Sequence, residues 1–149
     1  GLSREGLGLR MAGISVREER MPAIQRFEEL VAWQKARELT REVYLVTSEG
    51  RLARDHGLAG QIQRASVSIM ANIAEGFERG TRAEFHQFLS VAKASCAEVR
   101  SHLYVALDVN YLTSDDGARR QSLAEEVTRI VAGLRRAVEK QRDEQRGKQ

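Results

Sequence analysis

Cysteine, proline and aromatic residues are scarce in this sequence. It holds one cysteine, one proline and 5% aromatics in 149 residues. The lone thiol, Cys96, excludes an intramolecular disulfide framework and fits a cytoplasmic protein. Few aromatics argue against a sheet protein. No apolar run approaches the ~18 residues that cross a bilayer, so no membrane partner is expected. Leu2 to Ile14 is interrupted by Arg4, Glu5 and Arg10, which excludes a signal-peptide core. A strong excess of one charge is also missing. The net charge is +3 and the pI about 9.3, mildly basic, without the dense Lys/Arg arm of a committed nucleic-acid binder.

What is present is a globular composition, with 42% apolar and 30% charged residues. The length suits one domain with a real core. Residues Gly1 to Met21 stand apart: they hold four of the twelve glycines and mixed charges with no period. Met11 and Met21 are each able to serve as a start codon. The expectation is a flexible extension over 1–21, a folded domain over 22–143 and a frayed polar tail over 144–149.

Within the domain, apolar residues recur at three- and four-residue steps in four segments. The first runs from about Phe27 to Val46, through Leu30, Val31, Ala36, Leu39 and Val43, with Trp33 off the stripe. A connector follows over Thr47 to Gly57, broken at Gly50 and Gly57. The second segment, Leu58 to Gly76, sets Leu58, Ile62, Ala65, Ile69 and Ile73 on one face. Val67, Met70, Ala71 and Ala74 add apolar or small side chains away from that face. A helix apolar on two sides is buried on two sides. Those four residues are therefore the candidates for an interface with a second copy of the chain.

Gly76 and Gly80 read as C-cap glycines. Thr81 with Glu84 forms a capping box for the third segment, which extends to about Asn110. Its core face is Phe85, Leu89, Ala92, Cys96, Val99, Leu103, Ala106 and Leu107. Thr113 to Gly117 is a turn and cap cluster. The fourth segment carries Leu123, Val127, Ile130, Leu134 and Val138 inward and ends near Arg142. Short connections predict an all-α, antiparallel up-down-up-down four-helix bundle.

Beside the core face of the second helix lies a polar strip: Gln61, Arg64, Ser68, Asn72 and Glu75. The third helix carries Glu84, Ser95, Glu98 and His102 beside its own core face. Antiparallel packing would let Arg64 pair with Glu98, and let Ser68 and Asn72 meet Ser95. The strip is either a satisfied network that fixes helix register or a polar pocket for a ligand or RNA. Periodicity does not separate the two.

Signals for chemistry are missing. A di-iron bundle needs Glu-x-x-His on two helices, and the sequence has none. His86 and His102 fall about 160° apart around one helix and cannot share a metal. His56 reads as a loop residue, and Cys96, on a core face, as a small hydrophobe rather than a nucleophile. No phosphate loop, Gly-x-Ser-x-Gly or His-Glu-x-x-His motif occurs. No enzyme, cofactor or metal is expected. The remaining lead is basic: Lys35, Arg37 and Arg41 on the first helix, and Arg129, Arg135, Arg136, Lys140 and Arg142 late in the fourth. The latter read as spread around a polar half interleaved with Glu139 and Asp143. Lys35, Arg37, Arg41, Arg129, Arg136 and Lys140 are the nucleic-acid candidates, because an oligomer repeats and concentrates their charge.

The motif order suggests a family. Phe27-Glu28-Glu29-Leu30-Val31-Ala32-Trp33-Gln34-Lys35-Ala36 opens it. Gly57-Leu58, Gln61-Ile62-Gln63-Arg64-Ala65-Ser66-Val67-Ser68-Ile69 and Asn72-Ile73-Ala74-Glu75-Gly76 follow. Glu84-Phe85, Phe88-Leu89-Ser90-Val91-Ala92, Ser95 and Glu98 close it. Over about Phe27 to Glu139 the chain resembles the bacterial four-helix-bundle proteins encoded in intervening sequences of 23S ribosomal RNA genes. The resemblance implies a homo-oligomer, typically a pentameric ring, without known enzymatic activity. Gln61, Arg64, Ser68, Asn72, Glu75, Ser95 and Glu98 match its motif positions. A similar fold serves as the accessory protein of diversity-generating retroelements, a basic pentamer that contacts nucleic acid and a reverse transcriptase. The leading expectation is a non-enzymatic homo-oligomer that contacts RNA or DNA through a basic surface. The alternative is a structural or protein-interaction module, for example accessory to a reverse transcriptase, without nucleic-acid affinity of its own. A small-molecule or metal bundle is the third reading, disfavoured by ligand spacing.

Overall fold

Three- and four-residue apolar steps organise the described helices, as the sequence predicts. The computed structural model describes residues 23–147, so the extension expected over 1–21 lies outside the described residues, as do Lys148 and Gln149. Among the described residues there are five helices and no strand. A 3-10 turn, Phe27–Glu29, leads into α1 (Val31–Thr47). Then come α2 (Gly50–Arg54), α3 (His56–Glu78), α4 (Arg82–Asp108) and α5 (Ser114–Gly147). α3 packs against α1 and α4, and α5 packs against α4 and α1.

The core lies between these four long helices. Leu39, Ile62, Ile69, Ile73, Phe77, Phe85, Leu89, Val99, Leu103, Val127 and Val138 are all at 0% exposure. Phe77 and Phe85 meet edge to face, with ring centroids 5.9 Å apart. Each buried branched side chain contributes roughly 1.5–3 kcal/mol relative to exposure. On α5 the buried row is Ala124, Val127, Val131, Leu134 and Val138, while Leu123 and Ile130 are only half-buried. Val127, Leu134 and Val138 lie inward as expected, while Ala124 and Val131 take the places expected of Leu123 and Ile130, because α5 is wedged between two neighbours rather than facing one.

Several boundaries differ from expectation, each for a local reason. The connector after α1 contains the short helix α2, and Gly57 lies inside α3 rather than breaking it. The cap there is Asp55, whose carboxylate accepts from the Leu58 N–H at 3.1 Å. Gly76 is likewise helical, not a C-cap. A Cβ at that position would stand 2.6 Å from the Phe88 Cβ, so its smallness lets α3 and α4 close together. Gly80, at φ +90°, is the residue that turns the chain between them. Thr81 caps α4 as predicted, accepting from the Glu84 N–H at 3.2 Å. α5 begins at Ser114, with the Thr113 hydroxyl accepting from the Asp116 N–H at 3.1 Å. Gly117 is therefore inside α5, seated against the Leu107 side chain. At the far end α5 stays helical past Arg142 to Gly147, where fraying was expected. Arg82 holds it there, donating to the Gln145 Oε1 at 3.0 Å.

Candidate nucleic-acid interface

The polar strip comes together in part. Ser68 on α3 and Ser95 on α4 share a hydrogen bond at 2.9 Å between their hydroxyls. Asn72 donates to the Ser68 carbonyl at 2.8 Å and to its hydroxyl at 3.0 Å. Ser95 is buried at 3% exposure, so this pairing removes a desolvation penalty of about 1–3 kcal/mol. These three residues therefore couple α3 to α4. Arg64 and Glu98 do not pair as the spacing allowed. The Arg64 guanidinium lies back over Gly60 of its own helix. Instead Gln61, Arg64, Ser68, Glu98 and His102 line a shallow groove of about 350 Å³. Glu75 is exposed at the far end of the strip.

On the outer side of α3, Val67 is 41% exposed and Ala71 is exposed, while Met70 and Ala74 are half-buried. Of the second apolar side read from the sequence, Val67 and Ala71 are left uncovered, while Met70 packs against the chain's own core.

The basic residues separate into three groups. On α1, Lys35 contacts Glu38 at 3.3 Å and Glu126 of α5 at 3.4 Å. Those carboxylates, Glu38 first, raise its pKa above the ordinary lysine value. Arg37 lies over the Trp33 ring, 5.6 Å from its centroid, and Arg41 is exposed. Between α1 and α5 runs a groove of about 450 Å³ lined by Glu38, Glu42, Arg119, Arg120, Leu123 and Glu126. Arg120 is buried at 7% exposure. It donates to the Asp116 carboxylate at 3.1 Å and lies 3.8 Å from Glu42. The sequence reading missed Arg120, although its spacing betrays it. Gly117, Arg120, Ala124, Val127, Val131, Leu134 and Val138 form one inward row at three- and four-residue steps.

The second group is more orderly than a scatter around a polar half. Arg129, Arg136 and Lys140 fall within about 40° of one another around α5. All three are exposed, and none has an ion-pair partner among the described residues. The third group turns toward α4. Arg135 donates through Nε to the Ser90 hydroxyl at 2.8 Å. His86 sits beside it, with Nε2 3.8 Å from a Glu139 carboxylate oxygen. Burial first, and the Arg135 charge second, hold the His86 pKa below its ordinary value. This cluster was also missed. Its signal was the pair of rows Arg82, His86, Ser90 and Arg135, Glu139, Arg142, which antiparallel helices bring into register.

His86 faces α5, whereas His102 lines the groove beside α3. Among the described residues no group of metal-ligating side chains converges. No described helix is long and apolar enough to cross a membrane. Cys96 is buried in the core, and burial pushes its thiol up to about 11, so it stays protonated at neutral pH.

Comparison with known proteins places this geometry. The family model described as 23S rRNA-intervening sequence protein matches residues 28–133. The fold is similar to the crystal structure of a protein with unknown function from the S23 ribosomal protein family of Bacteroides thetaiotaomicron VPI-5482. The two are 24% identical with a TM-score of 0.65, over 70% of this chain and 97% of that one. No curated protein matches the chain.

Proposed function

The chain belongs to the 23S rRNA-intervening sequence protein family, and on that premise we propose a non-enzymatic, ring-forming homo-oligomer that contacts RNA through a basic surface. Its helices are read as an up-down-up-down bundle. The support is a ladder between α4 and α5: Arg82 meets Gln141 and Gln145, Ser90 meets Arg135, and the Arg100 carbonyl accepts from Gln121. Numbers rise on one helix as they fall on the other.

The observation that carries RNA contact is the row Arg129, Arg136 and Lys140. Cations near a helix C-terminus favour the macrodipole wherever they point. Their gathering on one exposed, unpaired row is not explained by the dipole. The row spans about 16 Å, a length that covers several backbone phosphates. Self-association rests on the uncovered side of α3 at Val67 and Ala71. It would repeat the row around the assembly.

Binding of a structured RNA, followed by anisotropy across a salt series, tests the reading. Affinity should fall steeply with salt, and each of Arg129→Gln, Arg136→Gln and Lys140→Gln should lower the slope by about one. No binding at low salt sinks the RNA reading. Light scattering after size exclusion tests assembly, and a monomer at micromolar concentration sinks that part.

A further inference from the structure

The cleft between α4 and α5 holds polar nitrogen atoms with nothing to bond. His86 Nε2 and Arg142 Nε are both buried and have no hydrogen-bond partner. Buried polar atoms are normally satisfied; among the described residues Arg100 Nε, Arg120 Nε and Gln121 Oε1 are orphaned too, but only here do two such donors come from facing helices beside a further arginine. One turn along, on the other side of His86 from Arg142, stands Arg135, its Nε donating to the Ser90 hydroxyl at 2.8 Å. Ser90 in turn donates to the His86 carbonyl at 3.0 Å. Neither Arg135 nor Arg142 has an ion-pair partner among the described residues.

We propose that His86, Arg135 and Arg142, with Ser90 holding Arg135 in place, form a seat for one phosphate oxyanion, and, resting on the RNA reading above, that this is a phosphate of the bound strand. The chemistry fits the class. A guanidinium offers planar, permanently charged donors that match phosphate oxygens. Arg142 Nε–H is a donor at every pH, so only an acceptor satisfies it. His86 Nε2 serves as the second donor, in the neutral tautomer that carries its proton there or in the imidazolium. The seat lies about 100° around α5 from the exposed row, because Arg135 and Arg136 are consecutive on the helix.

The surrounding charge sets the condition for occupancy. From α5, Arg135, Glu139, Arg142 and Asp143 act on His86. From its own helix, Arg82 is engaged by the neutral amides of Gln141 and Gln145. Glu139 is half exposed and, at 3.8 Å, too far to bond His86. An arriving oxyanion displaces it toward solvent. The cleft keeps the free imidazole neutral, and the oxyanion supplies the negative charge that favours its protonation. Binding is therefore coupled to proton uptake at His86 and tightens as the pH falls.

NMR of the imidazole protons in the full chain tests this, with His86→Gln assigning the signal. Inorganic phosphate and a short single-stranded RNA are titrated separately at matched ionic strength, with chloride as control. Both should move the His86 signal saturably and raise its titration midpoint. Arg142→Gln should abolish the shift and weaken RNA binding about tenfold. It lies near the end of α5, and circular dichroism checks that the helices remain. If phosphate moves His86 but bound RNA does not, the seat stands and its assignment to the strand is overturned. If RNA binds while neither probe moves His86, the seat is overturned and the RNA reading stands. If RNA fails to bind while phosphate moves His86, the seat stands and the RNA reading falls.

Discussion

The two flanks of α5 carry the same residue types and treat them in opposite ways. Glu126 and Arg135 lie nine residues apart and leave the helix about 180° from each other. On the α1 flank the cations that line the groove meet carboxylates. Lys35 meets Glu38 and Glu126, and Arg119 and Arg120 both reach Glu42. On the α4 flank Arg135 rests on a neutral hydroxyl, His86 Nε2 stands 3.8 Å from Glu139, and Arg142 has no carboxylate partner among the described residues. A neutralised flank holds helices together. On the α4 flank Arg135 and Arg142 meet no carboxylate among the described residues.

Exchanging one arginine on each flank gives the largest contrast. Arg120→Ala removes a buried guanidinium from Asp116 and leaves Glu42 to Arg119 alone. It should lower unfolding free energy by about 2–3 kcal/mol in urea denaturation. Arg135→Gln loses only a bond to a hydroxyl at a half-exposed site. It should cost under about 1 kcal/mol. Equal losses at the two sites would dissolve the distinction between the flanks.

The contrast also marks what the sequence could disclose. Helix positions followed from the apolar period, and the Thr81 cap followed from its own chemistry. The pairing of Ser68 with Ser95 was legible because both sit beside core faces on adjacent helices. Gly57, Gly76 and Gly117 were misread as breakers. A glycine that ends a helix and one that admits a neighbouring side chain look alike until the neighbour is known. For Gly76 that neighbour is Phe88, and for Gly117 it is Leu107. The cation clusters were harder still. Whether an arginine is free depends on which carboxylate the adjacent helix presents, and periodicity does not report that. Lys35 read as a nucleic-acid candidate until Glu126 was found across the groove. Arg135 and Arg142 read as solvated charge until α4 placed His86 and Ser90 opposite them.

The smallest effect concerns the proton on His86, and it separates the flanks without changing any arginine. In the folded chain the His86 pKa is lowered from 6.5, chiefly by burial. In the unfolded chain it returns to its ordinary value. Between the lowered value and 6.5 the unfolded state binds more protons, so stability rises with pH across that window. The contribution is complete above pH 6.5 and is lost as the pH falls from 6.5 through the folded-state value. With the side chain 15% exposed, the loss is modest. Urea midpoints of the wild type and His86→Gln should therefore keep a constant difference from pH 8 to 7. From pH 6.5 to 5 the wild type should lose more than the variant. Arg135→Gln should narrow the window, because it removes a charge that opposes protonation of His86. If the wild-type midpoint follows the variant through that range, the imidazole is already neutralised by Glu139. The α4 flank would then be as well paired as the α1 flank, and the asymmetry of α5 would not exist.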